Sequence, residues 1–178
     1  MTREDTVRRY RELYDRMSSG RDVKKMKAFG DAEMWAFMEM SRKDPETASA
    51  WLEKLEAGEW DSYISEKEAQ QISRSMRNQD GSTGFHWGAD TFFSSVKSLG
   101  GKIEEQPVYN RYALLVAANM VYSDHARSIA QDMGKDSPSD VSGDRMALSC
   151  YRKALELLED PDRGFRIRDY FRPVLEQR

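Results

Sequence analysis

The sequence holds few of the residues that build disulfides and metal sites. Of its 178 residues, one is cysteine and two are histidine. A single cysteine, Cys150, excludes an internal disulfide and favours a reducing compartment. A structural zinc site needs several cysteine, histidine or carboxylate ligands at characteristic spacing, and His86 and His125 do not provide it. We therefore expect no metal and no other cofactor.

Long apolar runs and a strong net charge are missing as well. No apolar segment approaches the roughly 20 residues that a membrane-spanning helix needs. The N-terminus lacks the apolar region of a secretory signal peptide. The formal net charge is only −3, which is ordinary for a soluble protein. These features predict a cytosolic protein with no membrane partner.

Signatures of catalysis are scarce. The segment Gly81–Gly84 (GSTG) lacks the Lys-Ser/Thr that a phosphate-binding loop requires. Several carboxylates stand in pairs in the sequence, but their positions have structural explanations. Glu68 fits a helix-capping position, and Asp160 and Asp162 flank a proline turn. Cys150 lies within a helical pattern and is most simply a small buried residue. We expect a protein that is not an enzyme.

What the chain does contain is helical periodicity, and it is strongest near the middle. The stretch Tyr109–Met133 has no glycine or proline until Gly134, and it is apolar on nearly every side from Tyr112 to Tyr122. A helix that is apolar all round is packed inside other helices. The pattern predicts a central hydrophobic helix over about 108–133.

Start and stop signals place further helices around it. They predict helices after Asp44-Pro45, from a capping box at Ser65–Glu68, over Thr91–Leu99, over Met146–Leu158 and over Phe165–Tyr170. The one candidate strand is short and lies around Ile103. We therefore predict an all-α fold, a single domain over residues 1–178, built as an irregular or orthogonal bundle of about seven to nine helices.

One polar residue interrupts the apolar stripe of the central helix. Asn119 falls in the middle of that stripe, between Leu115 and Tyr122. A buried amide without partners costs about 1–3 kcal/mol. We therefore predict that Asn119 is buried and bonds the backbone of a neighbouring loop, fixing how the helix packs.

The most turn-rich segment, residues 78–88, is the first candidate binding region. It ends in Phe85, His86 and Trp87. The simpler interpretation is that the aromatic side chains fold back as a lid over the core. The alternative is an aromatic anchor for a partner, because tryptophan and arginine dominate binding hot spots. In that case the polar rim consists of Arg74, Arg77 and Asn78.

The C-terminal run Pro161–Pro173 is the second candidate. It alternates arginines with apolar and aromatic residues: Arg163, Arg166, Arg168 and Arg172 with Phe165, Ile167, Tyr170 and Phe171. Arginine among aromatics suits phosphate contacts and base stacking. It equally suits a terminal helix docked by its aromatics, with the arginines in solvent.

Five stretches of the chain have a familiar pattern: TREDTVRRYRELYDRM, KAFGDAEMW, DPETASAWLEKLEAGEWDSYISEKEAQQI, YNRYALLVAANMVYSDHA and the closing PDRGFRIRDYF. Together they resemble a family of small helical proteins encoded in phages and prophages of gut bacteria. Some proteins that look like members act as anti-CRISPR inhibitors of type II RNA-guided nucleases. The acid-rich segment 134–144 departs from the family pattern.

The resemblance implies that the protein works by binding in the bacterial cytoplasm. Its partner would be a type II CRISPR effector nuclease, with the guide RNA or target DNA as further contacts, and the outcome would be loss of target-DNA binding or cleavage. Two alternatives stay open: a nucleic-acid-binding accessory phage protein, and a structural phage protein without inhibitory activity.

Overall fold

The fold is helical throughout the part of the chain that the structure describes. The computed structural model describes residues 2, 4–5, 8–12, 41–56, 64, 66–76, 85–106, 108–159 and 167–176. Within these ranges all regular elements are helices and no strand occurs. The prediction of an all-α bundle is confirmed.

Seven α-helices have described bounds, and two short 3₁₀ turns join some of them. The helices are α1 (Pro45–Glu56), α2 (Glu66–Ser75), α3 (Ala89–Ser98), α4 (Val108–Asp132), α5 (Gly143–Glu159), α6 (Ile167–Tyr170) and α7 (Arg172–Leu175). The 3₁₀ turns are Ile103–Glu105 and Pro138–Asp140. The strand considered around Ile103 is therefore wrong, because this residue begins a 3₁₀ turn and lies with its side chain in the core.

The central helix is α4, as the sequence predicts. Its residues 113–119 are all buried, so the helix is enclosed on every side along this part. It packs against α5 and also against α2 and α3. The helix ends at Asp132. Gly134 follows with a φ of +75° that suits glycine, and the N–H of Lys135 donates to the carbonyl of Ala130 at 2.9 Å.

Two helix ends show how local residues set the architecture. The N–H of Thr47 donates to Oδ1 of Asp44 at 3.1 Å, so Asp44 is the N-cap that the sequence predicts. At the end of α3, a Cβ on Gly101 would lie 2.4 Å from Cγ1 of Val96. Only glycine therefore lets the chain turn this closely against α3.

The apolar core lies where α3, α4 and α5 meet. Phe92, Val96, Leu114 and Met146 are among its fully buried members. Within the described ranges, no helix has both the length and the apolar character of a membrane span.

Candidate partner-binding surface

Asn119 fixes the end of the turn-rich segment to the central helix. Its Oδ1 accepts from the backbone N–H of Trp87 at 2.9 Å, and its Nδ2 donates to the carbonyl of Trp87 at 3.2 Å. Nδ2 also donates to the carbonyl of Leu115 at 2.9 Å. The side chain is buried. The prediction that Asn119 is buried and bonds a loop's backbone is confirmed.

This clamp places Trp87 in the core. Its side chain is 4% exposed, with ring centroids 5.8 Å from Phe92 and 5.1 Å from Tyr122. Phe85 is half-buried against the same core. The folded-back interpretation is therefore right for Trp87. The alternative of an exposed aromatic anchor is wrong for Trp87, because the protein itself already covers the ring.

His86 behaves differently from its neighbours. It is exposed, yet its ring stacks on Tyr122 with centroids 3.8 Å apart and planes inclined by 12°. The edge of Trp87 completes the arrangement at 4.7 Å. Partial burial lowers the pKa of His86 below its usual range, because desolvation disfavours the charged imidazolium. The partly buried position of His86 therefore favours the neutral ring.

Arg168 is committed to an internal ion pair. Its Nη1 and Nη2 donate to the two carboxylate oxygens of Glu68 at 3.0 and 2.8 Å. The Glu68 side chain is 5% exposed and that of Arg168 is 27% exposed. Arg168 is one of the partner-binding residues predicted from the sequence, and in the structure its guanidinium neutralises a buried carboxylate on α2.

Apolar contacts anchor the C-terminal segment, residues 167–176, together with the ion pair. Ile167 is 0% exposed and Phe171 is 7% exposed, and these residues stand four apart on one face. Tyr170 lies off that face and is 66% exposed. The docked-helix interpretation is thus right for Ile167 and Phe171 and wrong for Tyr170, whose ring touches Phe171 edge-on at 4.9 Å.

Exposed charged side chains stand close to Tyr170 in the sequence. The side chain of Arg172 is 59% exposed, and it pairs with Asp169 one turn before and with Glu176 one turn after. Because these pairs lie in solvent, each stabilises the fold by roughly 0–1 kcal/mol. Their guanidinium and carboxylate groups can therefore exchange partners at little cost.

A family model described as a domain of unknown function (DUF7841) matches residues 10–174. The chain belongs to the DUF7841 family. No curated protein and no solved structure matches it. The matched range includes the Asn119 clamp, the His86–Tyr122 stack and the C-terminal segment up to Val174.

The ten binding residues predicted from the sequence have different positions in the DUF7841 domain. Arg77, Asn78, Arg163 and Arg166 lie outside the described residues. Trp87 and Arg168 are used internally, and Phe85 is half-buried. Arg74 and Arg172 are exposed on two helices, α2 and α7, that pack against each other, and His86 is exposed at the end of the turn-rich segment.

The sequence does not single out two aromatics that the structure leaves accessible to different degrees. It places Tyr170 among the aromatics that dock, but Tyr170 is exposed, and it places Tyr122 on the apolar stripe of the central helix, but Tyr122 is only half-buried. Within the described ranges, no three histidine, cysteine, aspartate or glutamate side chains come together as metal ligands would.

Proposed function

We propose that the protein acts by binding and inhibits a type II RNA-guided nuclease of the Cas9 type. It docks on the guide-loaded nuclease in the bacterial cytoplasm and prevents target-DNA binding or cleavage, without chemistry of its own. The resemblance in the segment YNRYALLVAANMVYSDHA and in the closing PDRGFRIRDYF supports this proposal. The first of these segments lies within the central helix α4, where residues 113–119 are all buried, so we place the contact surface elsewhere.

The observation that carries the choice of surface is the exposure of Tyr170. Tyr170 is 66% exposed. It belongs to the C-terminal segment, which Ile167, Phe171 and the ion pair of Arg168 hold against the rest of the protein. Tyrosine and arginine are enriched among the residues that contribute most to binding. An exposed tyrosine beside Arg172, on a backbone fixed before binding, loses less conformational freedom when a partner covers it.

Electrostatics favour contact with protein over imitation of DNA. A DNA mimic needs a dense acidic face that competes for the nuclease's basic channel. The chain carries a formal net charge of only −3. Around Tyr170 the exposed charges have both signs, with Arg172 between Asp169 and Glu176. Such a mixed surface suits the polar rim of a protein interface.

A cleavage assay with guide-loaded Cas9-type nucleases and labelled target DNA tests the proposal. We expect the wild-type protein to inhibit at least one nuclease in a panel from gut bacteria. Tyr170→Ala should raise the half-maximal inhibitory concentration by about tenfold or more, which corresponds to roughly 1.4 kcal/mol of binding free energy. Arg172→Ala should have a smaller effect, because its charge lies in solvent.

Matched exposed positions provide the controls. Leu99 is the other large apolar side chain with substantial exposure in the described ranges, at 45%, and Arg152 is an exposed arginine on α5. Leu99→Ala and Arg152→Ala should inhibit like wild type. Full cleavage by every nuclease at a large excess of wild-type protein would contradict inhibition. Equal potency of Tyr170→Ala and wild type would contradict the assigned surface.

A further inference from the structure

We propose that the exposed face of His86 binds an unpaired nucleobase of single-stranded nucleic acid. The site is the aromatic platform, by which we mean His86, Tyr122 and Trp87. It shares no residue with the Tyr170 surface. The inference therefore stands apart from nuclease inhibition, and each can fail without the other.

The geometry leaves one face of the imidazole available. Tyr122 covers the other face, with centroids 3.8 Å apart and planes only 12° from parallel. Trp87 approaches edge-on, at 81° to the ring. His86 is nevertheless exposed, and a flat ring covered on one side can expose only its opposite face and its edges. A base placed there would extend the stack by one member, as bases do on aromatic side chains.

The platform is positioned before any ligand arrives. Asn119 bonds both backbone polar groups of Trp87, at 2.9 and 3.2 Å, and the next residue back in the chain is His86. Trp87 itself is buried against Tyr122 and Phe92. Binding to a ring held in this way avoids most of the entropy cost of ordering a loop.

The platform also carries unused polar atoms. Within the described part of the chain, neither ring nitrogen of His86 nor the hydroxyl of Tyr122 takes part in a hydrogen bond. A neutral imidazole offers one donor and one acceptor, and a tyrosine hydroxyl offers both. Such groups suit the sugar or the edge of a base adjacent to the stacked one.

A guanidinium group from a protein is the competing occupant. It would also stack on these rings, but it offers hydrogen-bond donors and no acceptor. It therefore cannot accept from the N–H of the neutral imidazole or from the hydroxyl of Tyr122. A nucleotide offers both donors and acceptors, so the platform favours the base.

Side-chain NMR of the full-length protein, titrated with short oligonucleotides, tests this inference. The probes are an eight-nucleotide oligo-dA, the same length of oligo-dT and an abasic oligomer that keeps the phosphates. We expect the ring resonances of His86 and Tyr122 to shift with the first two and not with the abasic oligomer. His86→Ala should weaken binding about fivefold or more, the loss expected for one stacked base.

Two variants make the result specific. His86→Phe keeps a flat ring on Tyr122 and should retain binding, whereas His125→Ala, at the other histidine and exposed on α4, should match wild type. The inference is overturned if no oligonucleotide shifts the platform or if the abasic oligomer shifts it equally. It is also overturned if arginine amide shifts the platform and oligonucleotides do not.

Discussion

Replacing Asn119 with leucine tests how the loop is held on the central helix. Leucine is similar in size, so the substitution removes the amide with little change of volume. It leaves the N–H and the carbonyl of Trp87 in a buried position without the partners they have at 2.9 and 3.2 Å. The carbonyl of Leu115 lies within α4 and loses only its side-chain donor.

The expected loss follows from these two groups. Each buried polar group that loses its partner costs about 1–3 kcal/mol. Water can reach the neighbouring exposed residues His86 and Gly88 and relieves part of this cost. We therefore expect Asn119→Leu to lower the free energy of unfolding by about 2–4 kcal/mol.

Urea unfolding at neutral pH measures this loss as a lower midpoint with an unchanged denaturant slope. Ser123→Ala is the matched control, because Ser123 is an exposed polar residue one turn further along the same helix. Its effect should stay within about 0.5 kcal/mol. A loss below about 0.5 kcal/mol for Asn119→Leu would refute the argument that the clamp stabilises the fold.

Three further predictions concern buried or partly buried groups. Glu68→Gln should lower the free energy of unfolding by about 2–4 kcal/mol, which is less than for a fully buried pair because the Arg168 side chain is 27% exposed. The control Glu53→Gln, at an exposed position, should leave the free energy of unfolding almost unchanged. Equal effects of the two substitutions would contradict the role of the ion pair. Burial raises the pKa of Cys150 to about 12, so its thiol should react with a disulfide reagent at pH 8 only after unfolding in urea, and rapid reaction of the folded protein would contradict its burial. The pKa of His86 measured by NMR should lie below about 6.5, and a pKa above 6.5 would contradict the account. Because the unfolded state then binds the proton more readily than the folded state, the free energy of unfolding should fall as the pH drops through this value. His86→Phe removes the titrating group and should flatten that fall.

Features that depend on neighbours in the sequence were predictable. The bounds of α4, Val108–Asp132, agree closely with the predicted span of about 108–133. Asp44 stands directly before Pro45 and is the N-cap that this pair predicts, accepting from the N–H of Thr47. Asn119 was predictable in a stronger sense, because an amide in the middle of an apolar stripe must find a partner, and the nearest backbone without regular structure is a loop.

Features that depend on distant residues were not. Glu68 fits the last position of a capping box, yet its carboxylate pairs with Arg168, one hundred residues further on. Neither position carries a local sign of the other. The arginine was therefore predicted as a binding residue, although its charge neutralises a buried acid.

The candidate surface was predictable only in part. The sequence indicates that the aromatic residues at 85–87 and 165–171 belong to candidate binding regions. It does not indicate which of these residues the fold covers. Trp87 is covered because Asn119 draws its backbone to α4, while His86, one residue earlier, is left exposed. In the C-terminal segment Ile167 and Phe171 are buried and Tyr170 is exposed, although Tyr170 stands only three residues after Ile167. Two residues at that spacing are neighbours on a helix, so the pattern alone does not predict that Tyr170 is exposed.

The most direct test of the proposed function is the binding affinity between this protein and a guide-loaded Cas9-type nuclease, measured by calorimetry for wild type and for Tyr170→Ala. The account predicts that the wild-type protein forms a defined complex and that the affinity of Tyr170→Ala is lower by about tenfold or more. Absence of binding by the wild-type protein to every nuclease in the panel would contradict the central claim.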